Sequence, residues 1–343
     1  MSLKEIHQHR EQRPLNILIT GSSAGIGLAA ARRLVEQGHT VYHACRTSER
    51  AQLAVKAAGG GVPMVCNLAD LHSVKTFAQQ VHSQIPYLDV VCCNAGIAPS
   101  TKSVKPPLTA QGFEACIGVN HLGHFLLAQL LAEKLAASKA SGDGGDDGGR
   151  LVLTASSVHD PALKAGQSGG KTASLGDLSG LGVNLLGNKT NSVRATMLDG
   201  SVDYHGAKVY KDSKLCNILM CRQAVREFPD SVTTVCFNPG FVPTTGLFDS
   251  LRKESWFRAQ ALTFFANIVG FSIPVEIAGD RLVYMATAPN LKSGVYYCAP
   301  AKSRGTMPEN GFVATPVSKD ASNDALAAKL WQKSLEVVRD WLA

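Results

Sequence analysis

A chain of 343 residues, 45% apolar and 18% charged, is long enough to bury a substantial core, and this balance excludes a disordered or low-complexity protein. Lys plus Arg number 34 against 27 Asp plus Glu, a formal net charge of +7 that is scattered rather than gathered into a basic stripe. That distribution points away from nucleic acid as a partner, and nucleotide phosphates suffice as the anionic ligand.

In chain order, residues 15–19 (LNILI) read as a short buried strand, followed by the turn TGSSAGIG and a helix that Gly38 ends. Strands are expected at 40–46 and 62–68, helices over 48–58 and 71–83, and a fourth strand at 88–96 running into a loop. Residues 112–137 read as mostly helical, and 141–149 as a flexible acidic surface loop. Further strands fall at 150–157, ending in hydroxyls, at 232–240, and at SGVYYCA after a helix over 276–287. A polar tail ends in a helix over about 323–341. This alternation predicts an α/β protein, a Rossmann-like doubly wound parallel sheet with helices on both faces, built as a single domain over 1–343.

Two segments interrupt the alternation. Residues 158–203 are rich in Gly, Ser, Leu and Asn without a clear period, and are expected to pack as a lid or flap. Residues 247–273 carry Phe248, Trp256, Phe257, Phe264, Phe265 and Phe271 at mixed spacing. That suits a core helix, a wall for a large flat apolar ligand, or a face on a membrane surface. No uninterrupted run of about 20 apolar residues predicts a spanning helix. The nine cysteines, with Cys92 and Cys93 adjacent in an apolar run, read as buried thiols rather than a disulfide framework.

The candidate nucleotide end begins at Gly21, Gly25 and Gly27. Small residues between a strand and a helix let backbone approach a diphosphate, and Ile26 lies between the last two of them. Ser22 and Ser23 are placed to add hydrogen bonds. Arg46 stands where NAD sites carry an acid, and a cation there suits the 2'-phosphate of NADPH. Asn67 and Leu68, after the third strand, would border the adenine. Asn94, Ala95 and Gly96, after the fourth, would lie beside the cofactor.

The candidate chemical end is HGAKVYKDSKLCN. Tyr210 and Lys214 are one helical turn apart, so an ammonium would favour the phenolate and could also hold a ribose. Ser156 ends a strand and could orient or polarise a reacting group. Asn120, a polar residue in the apolar run VNHLGHFLL, could hold a water that links the lysine to solvent. His121, His124 and His159 are not spaced as a zinc set, and no metal is expected. His159 reads as a substrate contact or as a local cap.

Taken together, these residues resemble the short-chain dehydrogenase/reductase family. The resemblance is carried by TGSSAGIG, NAG at 94–96, Asn120, Ser156, YKDSK at 210–214 and PG at 239–240. It implies Tyr210 as proton donor, Lys214 as its partner on the cofactor ribose, Ser156 as substrate orienter and Asn120 as relay. Pro239, Gly240 and Thr244 would join the cofactor site. Within that family the chain resembles the light-dependent protochlorophyllide oxidoreductases, through HACR at 43–46, VNHLGHFLLAQLL, LGDLSGL, GAKVYKDSKLCN, TTGLF and the terminal ASNDALAAKLWQKSLE. This implies photoreduction of protochlorophyllide by NADPH, a plastid or photosynthetic membrane surface, peripheral membrane association and a homo-oligomer. Phe241 and Phe248 would then line the pigment site. Phe241 stands where those enzymes usually carry cysteine, Asn67 where they carry aspartate, and NAG replaces their more typical NAA. A light-independent NADPH-dependent reductase of a retinal-like or other lipophilic carbonyl is the alternative, and a binding protein that retains NADPH without turnover is a third class.

Overall fold

The computed structural model describes residues 13–100, 103–140, 148–186, 196–246, 272–300 and 311–342. Seven short strands run parallel: β1 (Asn16–Thr20), β2 (Thr40–Cys45), β3 (Val62–Val65), β4 (Val90–Cys93), β5 (Arg150–Thr154), β6 (Thr233–Phe237) and β7 (Val295–Cys298). They lie in the order β3-β2-β1-β4-β5-β6-β7. The central strands β4 and β5 are buried along their whole length. Helices on both faces leave no solvent side, which is why these strands are apolar runs rather than alternating ones. An eighth strand, β8 (Val313–Ala314), pairs antiparallel with β7. The predicted strands at 62–68 and 150–157 stop earlier, at Val65 and Thr154, and the residues beyond them form the loops of the crevice.

Among the described residues the helices are α1 (Gly25–Glu36), α2 (Ser48–Ala58), α3 (Leu71–Gln84), α4 (115–140), α5 (Lys164–Gln167), α6 (Gly206–Glu227), α7 (Val275–Thr287) and α8 (Asp324–Leu342). Thr47 caps α2 by accepting from Arg50 N, and Gly59 ends that helix at φ 82°. Helix α4 comprises Ala115–Ile117, a π turn at Gly118–Gly123 and His124–Ala140. Among the described residues, Ala115–Ser138 is long and apolar enough to cross a membrane by length and composition alone. Its most apolar window is 83% buried inside the fold, so it serves as a core helix.

The core has two sides. Helices α3, α4, α6 and α8 share one apolar cluster, in which Trp331 of α8 packs edge-on against Phe125 at 4.9 Å and Phe228 at 5.6 Å. His121 of α4 meets Ser334 of α8 at 2.8 Å. On the other side α7 lies against α1, so closely that a Cβ on Gly279 would stand 2.6 Å from that of Ala29. All nine cysteines are free thiols, eight of them buried.

The insertion at 158–203, where described, is packed into the first of these clusters rather than standing away from it. Leu175, Leu178, Leu181, Met197 and Leu198 are buried there. Its irregular backbone is tied down by side chains of α6. Lys211 Nζ donates to the carbonyls of Gly166, Ser168 and Lys171 at 2.8, 2.6 and 2.6 Å. Lys208 Nζ reaches Ser174 O and Asp212 Oδ2, both at 2.7 Å, and pairs with Asp199 at 3.1 Å. Asp212 Oδ1 accepts from Ser174 N at 2.9 Å, and burial pushes its carboxyl up to about 7. These contacts supply partners that regular secondary structure would otherwise provide. Residues 247–271, with Phe248 and the other predicted aromatics, lie outside the described residues.

Candidate active site

The strand order reverses between β1 and β4, and the loops leaving the carboxyl ends of these strands open a crevice there. Gly21 follows β1 at φ 70°, and a Cβ on it would stand 2.9 Å from Ala95 Cα. A Cβ on Gly27 would meet Gly21 O at 2.6 Å and Asn94 Nδ2 at 2.7 Å. Only glycine fits this close backbone crossing. Helix α1 then begins with no side-chain cap and no acidic residue in its first turn, which leaves its N–H donors and positive end for an anion. The residues present therefore fit a dinucleotide diphosphate. Arg46, exposed just beyond β2, makes no ion pair with any described residue and fits an additional phosphate.

Other predicted nucleotide residues fall into two groups. Asn94 Nδ2 donates to Thr20 O at 3.1 Å, and Asn94 N and Ala95 N both donate to Thr20 Oγ1 at 3.0 Å. A Cβ on Gly96 would lie 3.4 Å from Asn120 Oδ1 and 3.8 Å from Lys214 Nζ, so this loop joins the nucleotide end to the chemical end. Gly240, at φ 98°, donates its N–H to Asn238 Oδ1 at 3.2 Å, while Pro239 O accepts from Arg281 at 3.0 Å. The second group is engaged internally. His43 Nε2–H donates to Gly60 O at 3.0 Å, so its Nδ1 accepts the Ser22 hydroxyl at 3.1 Å. Ser22 thus fastens the turn to β2. Ser22 Oγ also lies 3.6 Å from the Cys45 sulfur, Ser23 is half-buried, and Ile26 packs toward Val242, Ile273 and Ala278. Asn67 Oδ1 accepts from Ala69 N at 3.2 Å in a local turn, and buried Leu68 lies against Gly123 of α4. Thr245, rather than the exposed Thr244, covers the glycine turn, its Cγ2 3.3 Å from where a Gly25 Cβ would be.

At the chemical end, Lys214 is buried and its Nζ donates to Thr154 O at 2.9 Å, 5.5 Å from the centre of the Tyr210 ring. Burial pushes the ammonium down to about 8. Burial also raises the Tyr210 phenol above its ordinary value, with a smaller contribution from Cys116. The direction is opposite to the acidification expected from Lys214, and burial is its main cause. Asn120 sits within the π turn, where its Oδ1 accepts from Ile97 N at 2.9 Å and its Nδ2 donates to Ile97 O and to Ser213 Oγ, both at 3.0 Å. Ser213 Oγ in turn donates to Tyr210 O at 2.7 Å.

Ser156 is half-buried at the start of a short 3₁₀ turn, and its Oγ accepts from Val158 N at 3.4 Å. His159 is buried behind it. Its Nδ1 donates to Ser156 O at 2.7 Å and its Nε2 accepts from Ser318 N at 3.4 Å, with Tyr296 edge-on at 5.3 Å. Both ring nitrogens are thereby engaged with backbone, so His159 supports Ser156 and does not present a free nitrogen to a substrate. Phe241 pairs through its backbone with Ser272, and its carbonyl accepts from Ile273 N at 2.9 Å. Thr20, Ser213 and Thr245 are members of the site that sequence reasoning passed over. All three lie inside quoted motifs, TGSSAGIG, YKDSK and TTGLF, but nothing in their spacing sets these hydroxyls apart.

Residues 15–165 match the family model described as short chain dehydrogenase. The chain belongs to the short-chain dehydrogenase/reductase family and is an NAD(P)H-dependent oxidoreductase. More particularly, it is similar to Protochlorophyllide reductase B, chloroplastic, of Hordeum vulgare, with 38% identity over 331 residues that cover 94% of this chain and 78% of that one. It is 37% identical to Protochlorophyllide reductase of Avena sativa, over 94% of this chain and 99% of that one. Among solved structures, an uncharacterized protein from Mycobacterium Paratuberculosis shares the fold at a TM-score of 0.63 and 24% identity, covering 95% of this chain and 93% of that one. A short chain dehydrogenase from Shigella flexneri complexed with NADP does so at 0.54 and 20% identity, covering 84% and 99%.

Proposed function

We propose that the protein reduces protochlorophyllide to chlorophyllide with NADPH under illumination. The observation that carries this reading is end-to-end similarity to protochlorophyllide reductases, in a chain whose Tyr210, Lys214 and Asn120 converge on one crevice. A reduced dinucleotide, when bound, supplies the hydride. Gly21, Gly25 and Gly27 would hold its diphosphate, Arg46 the 2'-phosphate, and Asn94 to Gly96 would flank it. Lys214 would turn its ammonium to the ribose. Tyr210 donates the proton from Oη, and its raised affinity for that proton keeps it loaded until negative charge develops on the substrate. Ser156 orients the substrate, and Asn120 fixes the helix turn that carries the phenol. A plastid setting, peripheral membrane contact and self-association accompany the reading through the same similarity.

Phe241 favours a second reading, dark reduction of a lipophilic carbonyl, because it stands where the resemblance expects a pigment-lining cysteine. One experiment separates the two. Protein is mixed with NADPH and protochlorophyllide and followed by absorption and fluorescence in darkness and after flashes. Chlorophyllide is expected only after light, with NADH a much poorer donor. Equal conversion in darkness overturns the photochemical reading, and equal use of NADH overturns the 2'-phosphate assignment.

A further inference from the structure

His124 is a buried imidazole on α4, one turn beyond Asn120, and both its ring nitrogens are engaged. Nδ1 lies 3.2 Å from Asn120 O, and Nε2 lies 2.9 Å from Thr20 Oγ1. A carbonyl only accepts, so Nδ1 carries the proton. Burial pushes the imidazole down to about 4, so the ring is neutral and Nε2 is an acceptor. The Thr20 hydroxyl then has two acceptors for its single proton, Nε2 at 2.9 Å and, farther off, Cys92 O at 3.2 Å. Its lone pairs are left for the N–H groups of Asn94 and Ala95, both at 3.0 Å. One donor and two acceptors are all a hydroxyl has, so with its proton shared between Nε2 and Cys92 O the Thr20 oxygen has no capacity left over. Beyond Asn120 the line continues through Nδ2 to Ser213 Oγ at 3.0 Å, and from that hydroxyl to Tyr210 O at 2.7 Å.

We infer that His124 is a positioning residue that couples the Asn94–Ala95 loop, through Thr20, to the carbonyl of Asn120 and so to the turn bearing Tyr210. The inference rests on the reading that Tyr210 and Lys214 act beside a dinucleotide lying along that loop. A leucine or phenylalanine would fill the same core space without the cost of burying an imidazole, so the polar ring is explained by the two bonds it makes. The π turn gives the coupling its place. There the helical ladder shifts register, and the His124 side chain supplies a donor to the Asn120 carbonyl.

The test is a double-mutant cycle in the full chain, with His124→Phe, Thr20→Val and the pair, read by fluorescence titration of NADPH and by turnover per flash. Each single change is expected to weaken NADPH by about threefold and to slow turnover by about tenfold, and the double to be no worse than the poorer single, because both cut the same line. His124→Asn, which keeps an amide donor near Asn120 O and disturbs the core less, is expected to recover most of the turnover. Losses that multiply in the double variant overturn the coupling. So does a fall in thermal stability with NADPH affinity and turnover unchanged. A wild-type protein inert toward the pigment would sink the proposed function, while the NADPH arm of the cycle would still decide this inference.

Discussion

The glycine turn that opens α1 and the insertion that precedes α6 are both irregular backbone held against a core, by opposite means. The turn is held by what it lacks. Gly27 rests on Gly21 O at a distance no Cβ would allow, and the helix N–H groups beyond it have no side-chain cap. The insertion is held by what enters it, the buried ammonium groups of Lys208 and Lys211, which bind its carbonyls. Backbone that keeps free donors is a place for an anionic ligand, whereas backbone whose acceptors are taken up from within is a wall.

Three changes test that contrast. Gly27→Val forces a side chain into Gly21 O and Asn94, and should cost NADPH affinity on the order of 1,000-fold, about 4 kcal/mol, with the circular dichroism retained. Near-normal binding would show that the backbone crossing is not the diphosphate cradle. Asp212→Ala should act on the other region. It removes the closest carboxylate from buried Lys208 and should lower stability by about 3 kcal/mol in urea unfolding. At concentrations where the protein stays folded, NADPH binding should hardly change. The smallest effect is the pH dependence of nucleotide affinity. Lys214 is depressed to about 8, so its ammonium is present below that value and lost above it. Affinity should fall about tenfold between pH 7 and 9, and Lys214→Met should flatten the profile.

Much of this was legible along the chain. The helix expected over 48–58 is Ser48–Ala58, because an N-cap threonine and a terminal glycine are local signals. The Tyr210–Lys214 spacing and the glycine turn are local signals as well. What escaped depends on partners distant in sequence. Ser22 reads as a hydrogen-bonding residue of the cofactor site until His43 is seen beside it, and His159 stays open between substrate contact and local cap until Ser156 and Ser318 close on its ring. β8 has two residues and no period to detect. Desolvation reversed the expected shift of Tyr210, and desolvation is a property of packing that no spacing encodes.

Helix α8 closes the rear of both α4 and α6, through Trp331 and Ser334. Translation delivers that helix after every other element described here. During synthesis the apolar backs of α6 and α4 therefore wait for a segment separated from Phe125 by about two hundred residues. Such late, long-range closure makes folding slow and leaves sticky surface uncovered in the nascent chain, an interval in which a chaperone would have most to protect.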